Sequence, residues 1–488
     1  SLDIYFDGGE ENRYETWLGA LSAIYRPNEH TSLKFIASSF NTREEETFDI
    51  KGEYFINKLN TASNGVSGSD SLQNIGVGAF HDHARNFLDA WVLSFYHKGY
   101  TQMGSDNLRW GFKLNSETID DRMNEWRMVD SAGYSIPYTG NHIPLFDYRN
   151  MDNRFTAFRA TSYVQYHHPF YFRSLSFDLT AGMRAHYWDF NNELVWGPRA
   201  SLAMKPNWRK DLNFNLSAGY YYQPPFFKEL RNPNGELNQD IKAQKSIHFV
   251  LSGDYYFSAW DRPFKWTTEV YYKHLDNLIP YKVDNVRILY SGENQAKGFA
   301  AGFDTRVHGE FVEGVDSWAS LSLMRTMADI HNDYYINSEG ERVEPGYYRR
   351  PSDQMVNFNL FFQDYFPSYP SLKVHLNLVY GSRVPFSSPY SDRYDSGVQV
   401  TLPPYRRVDI GLSKSIKREG KSNEKIAFLN SFRSIWLGID VFNLFDIDNA
   451  ISYTWIKTLK DQEGVPKEFI VPNYLTSRRI NVKLSIEF

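Results

Sequence analysis

"RRINVKLSIEF", Arg478 to Phe488, closes the chain. Taken by twos, it puts Ile480, Val482, Leu484, Ile486 and Phe488 on one face, with Asn481, Lys483, Ser485 and Glu487 on the other. That is a strand with one oily and one wet side. A soluble sandwich produces the same alternation when the oily side meets a core, and for one strand alone that is the commoner arrangement. The rest of the chain has to decide between core and lipid.

The same alternation recurs. In "SLSFDLTAGMRAHYW", Leu175, Phe177, Leu179, Ala181, Met183 and Ala185 oppose Ser176, Asp178, Thr180, Arg184 and His186. In "DLNFNLSAGYYY", Leu212, Phe214, Leu216 and Ala218 alternate with Asn213, Asn215 and Ser217, and in "FKWTTEVYYK", Phe264, Trp266 and Val270 oppose Lys265, Thr267, Glu269 and Lys273. "LKVHLNLVY" sets Leu372, Val374, Leu376 and Leu378 against Lys373, His375 and Asn377. The runs reach roughly ten residues or more, the length of a tilted bilayer crossing. Aromatics such as Tyr220, Tyr221 and Tyr222 gather at strand ends, like an interfacial girdle. Short connections, "RPNEH", "KPNWRKD", "SAWDRPF" and "FPSYPS", carry turn residues, and between them lie long loops at about 223–245, 278–297, 329–353 and 384–403. Short turns at one end and long loops at the other is the pattern of an outer-membrane barrel, and roughly 20 strands are expected on this count. Phe488 can then be apolar because its face meets lipid, with barrel closure pairing the last strand.

Composition agrees. Phe, Trp and Tyr make up 17% of the 488 residues, yet mean hydropathy is -0.53. No apolar window is long enough for a transmembrane helix, whereas barrel strands use alternate residues and leave no hydropathy peak. The chain has no Cys, so disulfide scaffolds and thiolate metal sites are excluded. A net charge of -5 with a pI near 6.2 gives no support to nucleic-acid binding.

Chemistry-bearing motifs are sparse. "HDH" places His81 and His83 on one strand face, a spacing that could hold a metal, but no third ligand is recognisable and a polar turn is the favoured reading. His167 and His168 precede Pro169 in an expected turn and face opposite ways, which argues against a chelate. "NPNGELNQD", Asn232 to Asp240, lacks the acidic spacing of a calcium loop and reads as a plain loop. Asp178 and Glu269 are inward carboxylates with nothing to fix a glycosidase geometry. No nucleophile elbow, phosphate loop or zinc-protease motif occurs, so an enzyme is not expected and no cofactor or metal is assigned. Ligand contacts are expected from loops and upper lumen, at Tyr334, Tyr335, Tyr347, Tyr348, Arg349, Arg350, Tyr390, Arg393 and Tyr394, where aromatic faces and guanidinium groups are dense. Each of those side chains could instead fill an interfacial belt or satisfy an acid inside the lumen.

"AGYYYQPPFFKELRNPNGELNQDIKAQKSIHFVLSGDYYF", "YYRRPSDQMVNFNLFFQDYFP", "LPPYRRVDIGLSKS" and "IDVFNLFDIDNAISYTWI", in that order, with "HDHARN" near the start, resemble the C-terminal barrel of TonB-dependent receptors. More narrowly they resemble the branch with an N-terminal carboxypeptidase-like regulatory domain. The resemblance implies a plugged 22-stranded barrel in a Gram-negative outer membrane. It also implies uptake of a scarce nutrient: a siderophore, haem, cobalamin, a glycan or a peptide. Implied partners are outer-membrane lipids, TonB through an N-terminal region, and the barrel-assembly machinery reading Phe488, with a surface lipoprotein or larger complex as a further partner. Strand alternation is under way by Thr16, so 1–488 reads as barrel throughout, a fragment without plug or first strands; a plugless relative is the other reading. A structural or assembly barrel without transport is the alternative function, and a soluble carbohydrate-active β-protein is a third.

"GVQVTL" carries a parity problem. Counting strands back from Phe488 puts "NLFDIDN" in a short turn and the long 384–403 loop on the short-turn end, so one crossing is miscounted between about Leu372 and Ala450. Val398 to Leu402 is the expected extra strand, with reversal at Pro403 and Pro404.

Overall fold

The computed structural model describes residues 2–59, 72–130, 143, 145–284, 287–312, 315–337, 339–366, 369–386, 400–401, 403–417, 428, 431–457, 468–475 and 477–488. One antiparallel sheet of 18 strands dominates it. One member, Tyr348–Arg349, is a two-residue piece beside the end of a neighbour, which leaves 17 strands as the wall, fewer than the roughly 20 expected because short paired segments in the long loops alternate like wall strands.

The first five wall strands are long: β1 Leu2–Asn28, β2 Thr31–Leu59, β3 Leu72–Met103, β4 Asp106–Asp130 and β5 Leu145–Phe172. Next come β6 Leu175–Trp188, β7 Glu193–Pro206, β8 Asp211–Gln223, β9 Gln244–Ala259 and β10 Arg262–Leu278. The rest are β11 Ala296–Val312, β12 Val315–Ile330, β13 Val356–Phe366, β14 Tyr369–Gly381, β15 Tyr405–Lys417, β16 Ser434–Phe442 and β17 Arg479–Glu487. Each pairs with the wall strand before and after it in sequence. Among the described residues β1 pairs with β2 alone and β17 with β16 alone.

The four predicted turns all join consecutive strands at one end, including Glu29–His30 and Trp260–Asp261, and the four predicted long loops all leave from the other. The parity problem resolves as an overcount. Ala450–Lys457 and Glu468–Tyr474 pair with each other in a separate two-stranded sheet, so they form a hairpin inside one long connection from β16 to β17. "NLFDIDN" therefore opens a long loop rather than a short turn, and 384–403 returns to the long-loop end. Val400–Thr401 is extended and paired, as expected, but with Pro385–Phe386 in another small sheet, and it crosses nothing. Val398, Gln399 and Leu402 lie outside the described residues.

Register fixes the faces. Leu376 stands opposite Ile410, Leu412 opposite Ile439, Ile439 opposite Val482 and Leu437 opposite Leu484. Ile410, Leu412, Leu437, Ile439, Val482 and Leu484 are all exposed, so Leu376 and Leu484 belong to one outward apolar belt. Phe214 joins the same belt across Met204 and Phe177. The other face is polar: His375 meets Asp440 at 3.4 Å, and Asn377 donates to Asp409 at 3.2 Å.

On β2 and β3 the outward side changes character along the strand. Phe35, Trp91, Leu93 and Phe95 are exposed apolar residues near the short-turn end, while Asp49, His83 and Arg85 continue the same parity beyond them. Charged side chains on that face mark strand that has left the lipid. With 25 to 32 residues each, β1 to β5 are two to three times longer than a crossing requires, and their upper parts stand clear of the membrane.

Two long loops fold back over the inner side of those upper strands. The β8–β9 loop carries a 3-10 turn, Phe227–Glu229, and the β10–β11 loop carries a hairpin of Tyr281–Asp284 with Arg287–Tyr290. Leu230, Ile241 and Ile279 pack with Ala157 and Trp188 of the wall into the main apolar cluster. The loops also bond to each other: Asn238 donates to the Gly292 carbonyl at 2.8 Å, and Asn294 to that of Lys242 at 3.0 Å. Gly292 has φ +71° and lies so close to Arg231 that a Cβ would come within 2.7 Å of its backbone, so no other residue fits without displacing the loop.

Replacing Leu376 with Arg should destabilise the folded wall by roughly 2–4 kcal/mol where it lies near the bilayer midplane, read as a lowered midpoint in denaturant against Leu376→Val. A second expectation concerns Glu229, buried in the β8–β9 loop, where it accepts the Phe226 N–H at 3.1 Å and the Gln244 amide at 2.9 Å. Burial raises its carboxyl above the ordinary value, against those two hydrogen bonds. The folded loop therefore binds a proton more readily than the unfolded one, and its packing is strengthened as pH falls through the raised value. Hydrogen exchange across 224–243 should slow as pH is lowered from neutral through that raised value, beyond the intrinsic chemical effect. In Glu229→Gln that extra slowing should vanish.

Candidate functional site

The inner wall of β4 to β9 carries one band of side chains that the apolar alternation leaves pointing inward. Lys113 stands opposite Thr161, Thr161 opposite His186, Arg199 opposite Gly219 and Gly219 opposite His248. Lys113, Thr161, His186 and Arg199 of this band, together with the loop bases, line a cavity of about 720 Å³, within the range of small-molecule sites. The cations on its inward face are Lys113, Arg159, Arg184 and Arg199, with Arg350 from a loop, and its carboxylate is Glu117; Lys245 borders the cavity with its backbone neighbours but turns its side chain outward, to Asp276 and the Tyr220 ring. A second cavity of about 510 Å³ adjoins it, sharing Lys113, Arg184, Arg199 and Tyr221 and adding Lys98.

Aromatic faces support several of these cations. Arg159 lies 4.1 Å from the Trp188 ring, Arg199 4.4 Å from that of Tyr221, and Lys113 4.7 Å from that of Tyr96. A ring face offsets charge but takes up none of the N–H donors that leave a guanidinium edge-on. Arg159 is also held at 3.0 Å from Glu117.

The six loop candidates that can be placed separate sharply. Arg350 lines the cavity. Arg349 is committed elsewhere, its Nε 2.6 Å from Asp353, a fully buried carboxylate that Arg325 also meets at 3.2 Å. Tyr348 packs on the cluster of Leu275, Leu278, Ala296 and Ala328. Tyr347 is exposed beside Phe299, and Tyr334 and Tyr335 are exposed at a hairpin of Tyr335–Ile336 with Arg342–Val343, where Arg342 stacks 4.0 Å from Tyr334. Tyr390, Arg393 and Tyr394 lie outside the described residues.

Three local expectations change. Tyr221 does not join a girdle: adjacent residues on a strand face opposite ways, so Tyr220 is exposed outward while Tyr221 stacks inward on His248 at 4.2 Å. "HDH" sits within β3 rather than in a turn. His81 and His83 do share a face, lying 3.6 and 2.6 Å from Asp49, and Asp82 on the opposite face pairs with Arg127 at 2.5 Å. His167 and His168 are likewise in β5 and pair with Asp178 and Asp106 on opposite faces. Asn232 to Asp240 is a loop as read. Among the described residues no group of three or more His, Asp or Glu is placed to hold a metal.

The wall cations were missed because alternation shows that Arg184 and His186 turn away from lipid but not which strands bring them beside Lys113 and Arg199. Strand pairing supplies that neighbour relation.

Residues 5–444 match the family model described as "TonB dependent receptor-like, beta-barrel". No curated protein has a significant sequence match to the chain. Among solved structures, the chain is similar to the FpvAI–pyocin S2 complex at TM-score 0.55 and 11% identity, covering 98% of this chain and 66% of that one. It is similar to the copper transporter OprC at 0.52 and 11%, covering 99% and 76%. The ferric enterobactin receptor PfeA of Pseudomonas aeruginosa, in complex with BCV-L6, gives 0.52 and 14%, covering 99% and 71%. The chain thus spans about two thirds to three quarters of these proteins' lengths, and at such identities they speak for the fold alone. With its alternating wall strands, outward apolar belt, short turns opposite long loops and a family match across most of its length, the chain belongs to the TonB-dependent receptor β-barrel family, transport proteins of the Gram-negative outer membrane rather than enzymes.

Proposed function

We propose that the complete protein takes up a scarce nutrient from outside the cell, with energy delivered by TonB to a region N-terminal to this barrel. The observation that carries the reading is the polar cavity at the base of the long loops, inside a wall whose outer belt is built for lipid. In this family's orientation short turns face the periplasm and long loops face outward, so the cavity is open to arriving cargo before any passage inward. The branch with an N-terminal carboxypeptidase-like regulatory domain, and a surface lipoprotein or larger complex as partner, belong to the same proposal on sequence resemblance. Siderophore, haem, cobalamin, glycan and peptide remain its cargo classes, with contacts from Arg350 and the loop residues Tyr334, Tyr335, Tyr347, Tyr390, Arg393 and Tyr394.

A deletion strain should lose growth or accumulation on one such limiting nutrient, and a strain lacking TonB should show the same loss. Unchanged uptake of every nutrient class in the deletion strain, with an altered outer-membrane complex, would favour the barrel as a structural or assembly subunit instead.

Assembly is tested separately at the terminus. Phe488 is 90% exposed, its ring 5.3 Å from that of Phe432. Removing it should reduce the amount of folded protein in the outer membrane several-fold if the assembly machinery reads a terminal aromatic strand; wild-type surface levels would count against that partner.

A further inference from the structure

We infer that the inner-wall cavity binds a compact polyvalent anion, a small molecule bearing two or more carboxylate or phosphate groups. The inference rests on the uptake reading for the route of entry and narrows its cargo.

The chain as a whole is acidic, with 58 Asp and Glu against 53 Lys and Arg, yet the cavity sets five inward cations against Glu117 alone. Arg159 has Glu117 as its carboxylate partner. For Lys113, Arg184, Arg199 and Arg350, no ion pair is found among the described residues. Like charges gathered on a wall repel one another, so an arrangement that leaves them uncompensated favours a bound anion.

Arg199 Nε and Ser246 Oγ are buried donors without a hydrogen-bond partner, and His186 Nε2 is a third unpartnered atom, a donor when Nδ1 accepts from the Thr161 hydroxyl; all three residues line this same cavity. A buried polar atom left unpaired costs free energy that a ligand oxygen can recover. Guanidinium groups presented edge-on suit the paired oxygens of carboxylate and phosphate. Depth and size bear on what fits: the cavity holds about 720 Å³ and reaches from mid-wall to Pro224 and Leu278 at the loop bases, enough for a small molecule.

The test uses the full-length protein, folded in detergent and titrated calorimetrically with inositol hexakisphosphate, with citrate as the carboxylate counterpart and myo-inositol as the uncharged control. At least one anion should bind, the stronger of the two identifying phosphate or carboxylate cargo. Myo-inositol should not bind, and anion affinity should fall as salt rises. Arg184→Gln and Arg199→Gln should each weaken binding about tenfold, the scale of one charge-assisted hydrogen bond. Arg350→Gln lies in a loop and keeps the test available if a wall variant does not fold. Failure of both anions to bind would overturn the inference, as would affinity unchanged in all three variants. So would variants that loosen the barrel's hold on another protein segment while anions bind nowhere, since an acidic protein surface would then be the occupant. Anion binding that persists in a protein whose deletion affects no uptake would sink the transport reading and leave the site standing.

Discussion

Backbone hydrogen bonding is the constraint on which the rest depends. A strand inside lipid has no water to satisfy its N–H and C=O groups, so each must pair with a neighbouring strand along its length. Once paired, every side chain is assigned to lipid or interior by parity alone, and a slip of one residue would send the whole set to the wrong side. The pairing of Leu376 with Ile410, Leu412 with Ile439 and Ile439 with Val482 is therefore one decision expressed on four strands. The same decision puts His375, Asn377, Asp409 and Asp440 inside together.

Above the lipid the constraint relaxes, and the upper strands acquire charge on both faces. That charge is what the returning loops use. Arg287, from the hairpin of the β10–β11 loop, reaches Glu46 of β2 at 2.6 Å and Glu125 of β4 at 2.9 Å, while Arg231 of the β8–β9 loop meets Asp121 at 2.7 Å. The pairs are partly buried by the loops that make them, so breaking one would leave a carboxylate in a poor environment. The apolar cluster around Trp188, Leu230 and Ile241 provides the attraction, and the ion pairs set where the loops come to rest.

Sequence legibility follows from these two regimes. The lipid-facing alternation of Leu376, Phe214 and Leu484 could be read directly because parity is local, and so could the short turns and long loops. Ala450–Lys457 alternates like a wall strand although it belongs to a hairpin standing in a loop; only its pairing with Glu468–Tyr474, and with no wall strand among the described residues, separates the two. Site residues fared worse. Arg349 and Arg350 are adjacent and chemically identical, yet one is spent on buried Asp353 and the other lines the cavity, a distinction set by the path of a loop.

An aromatic share of 17% is more than a girdle needs, and position decides what the remainder does. Tyr220 is exposed on the outer face, whereas Tyr221, one residue on, backs Arg199 inside the wall. Trp188 serves twice, closing the loop cluster with Leu230 and Ile241 and lying under Arg159. A carboxylate in place of such a ring would neutralise the cation and occupy its donors. A ring steadies the cation while leaving its donors available, which is how an acidic chain can keep a positive inner wall without cancelling it.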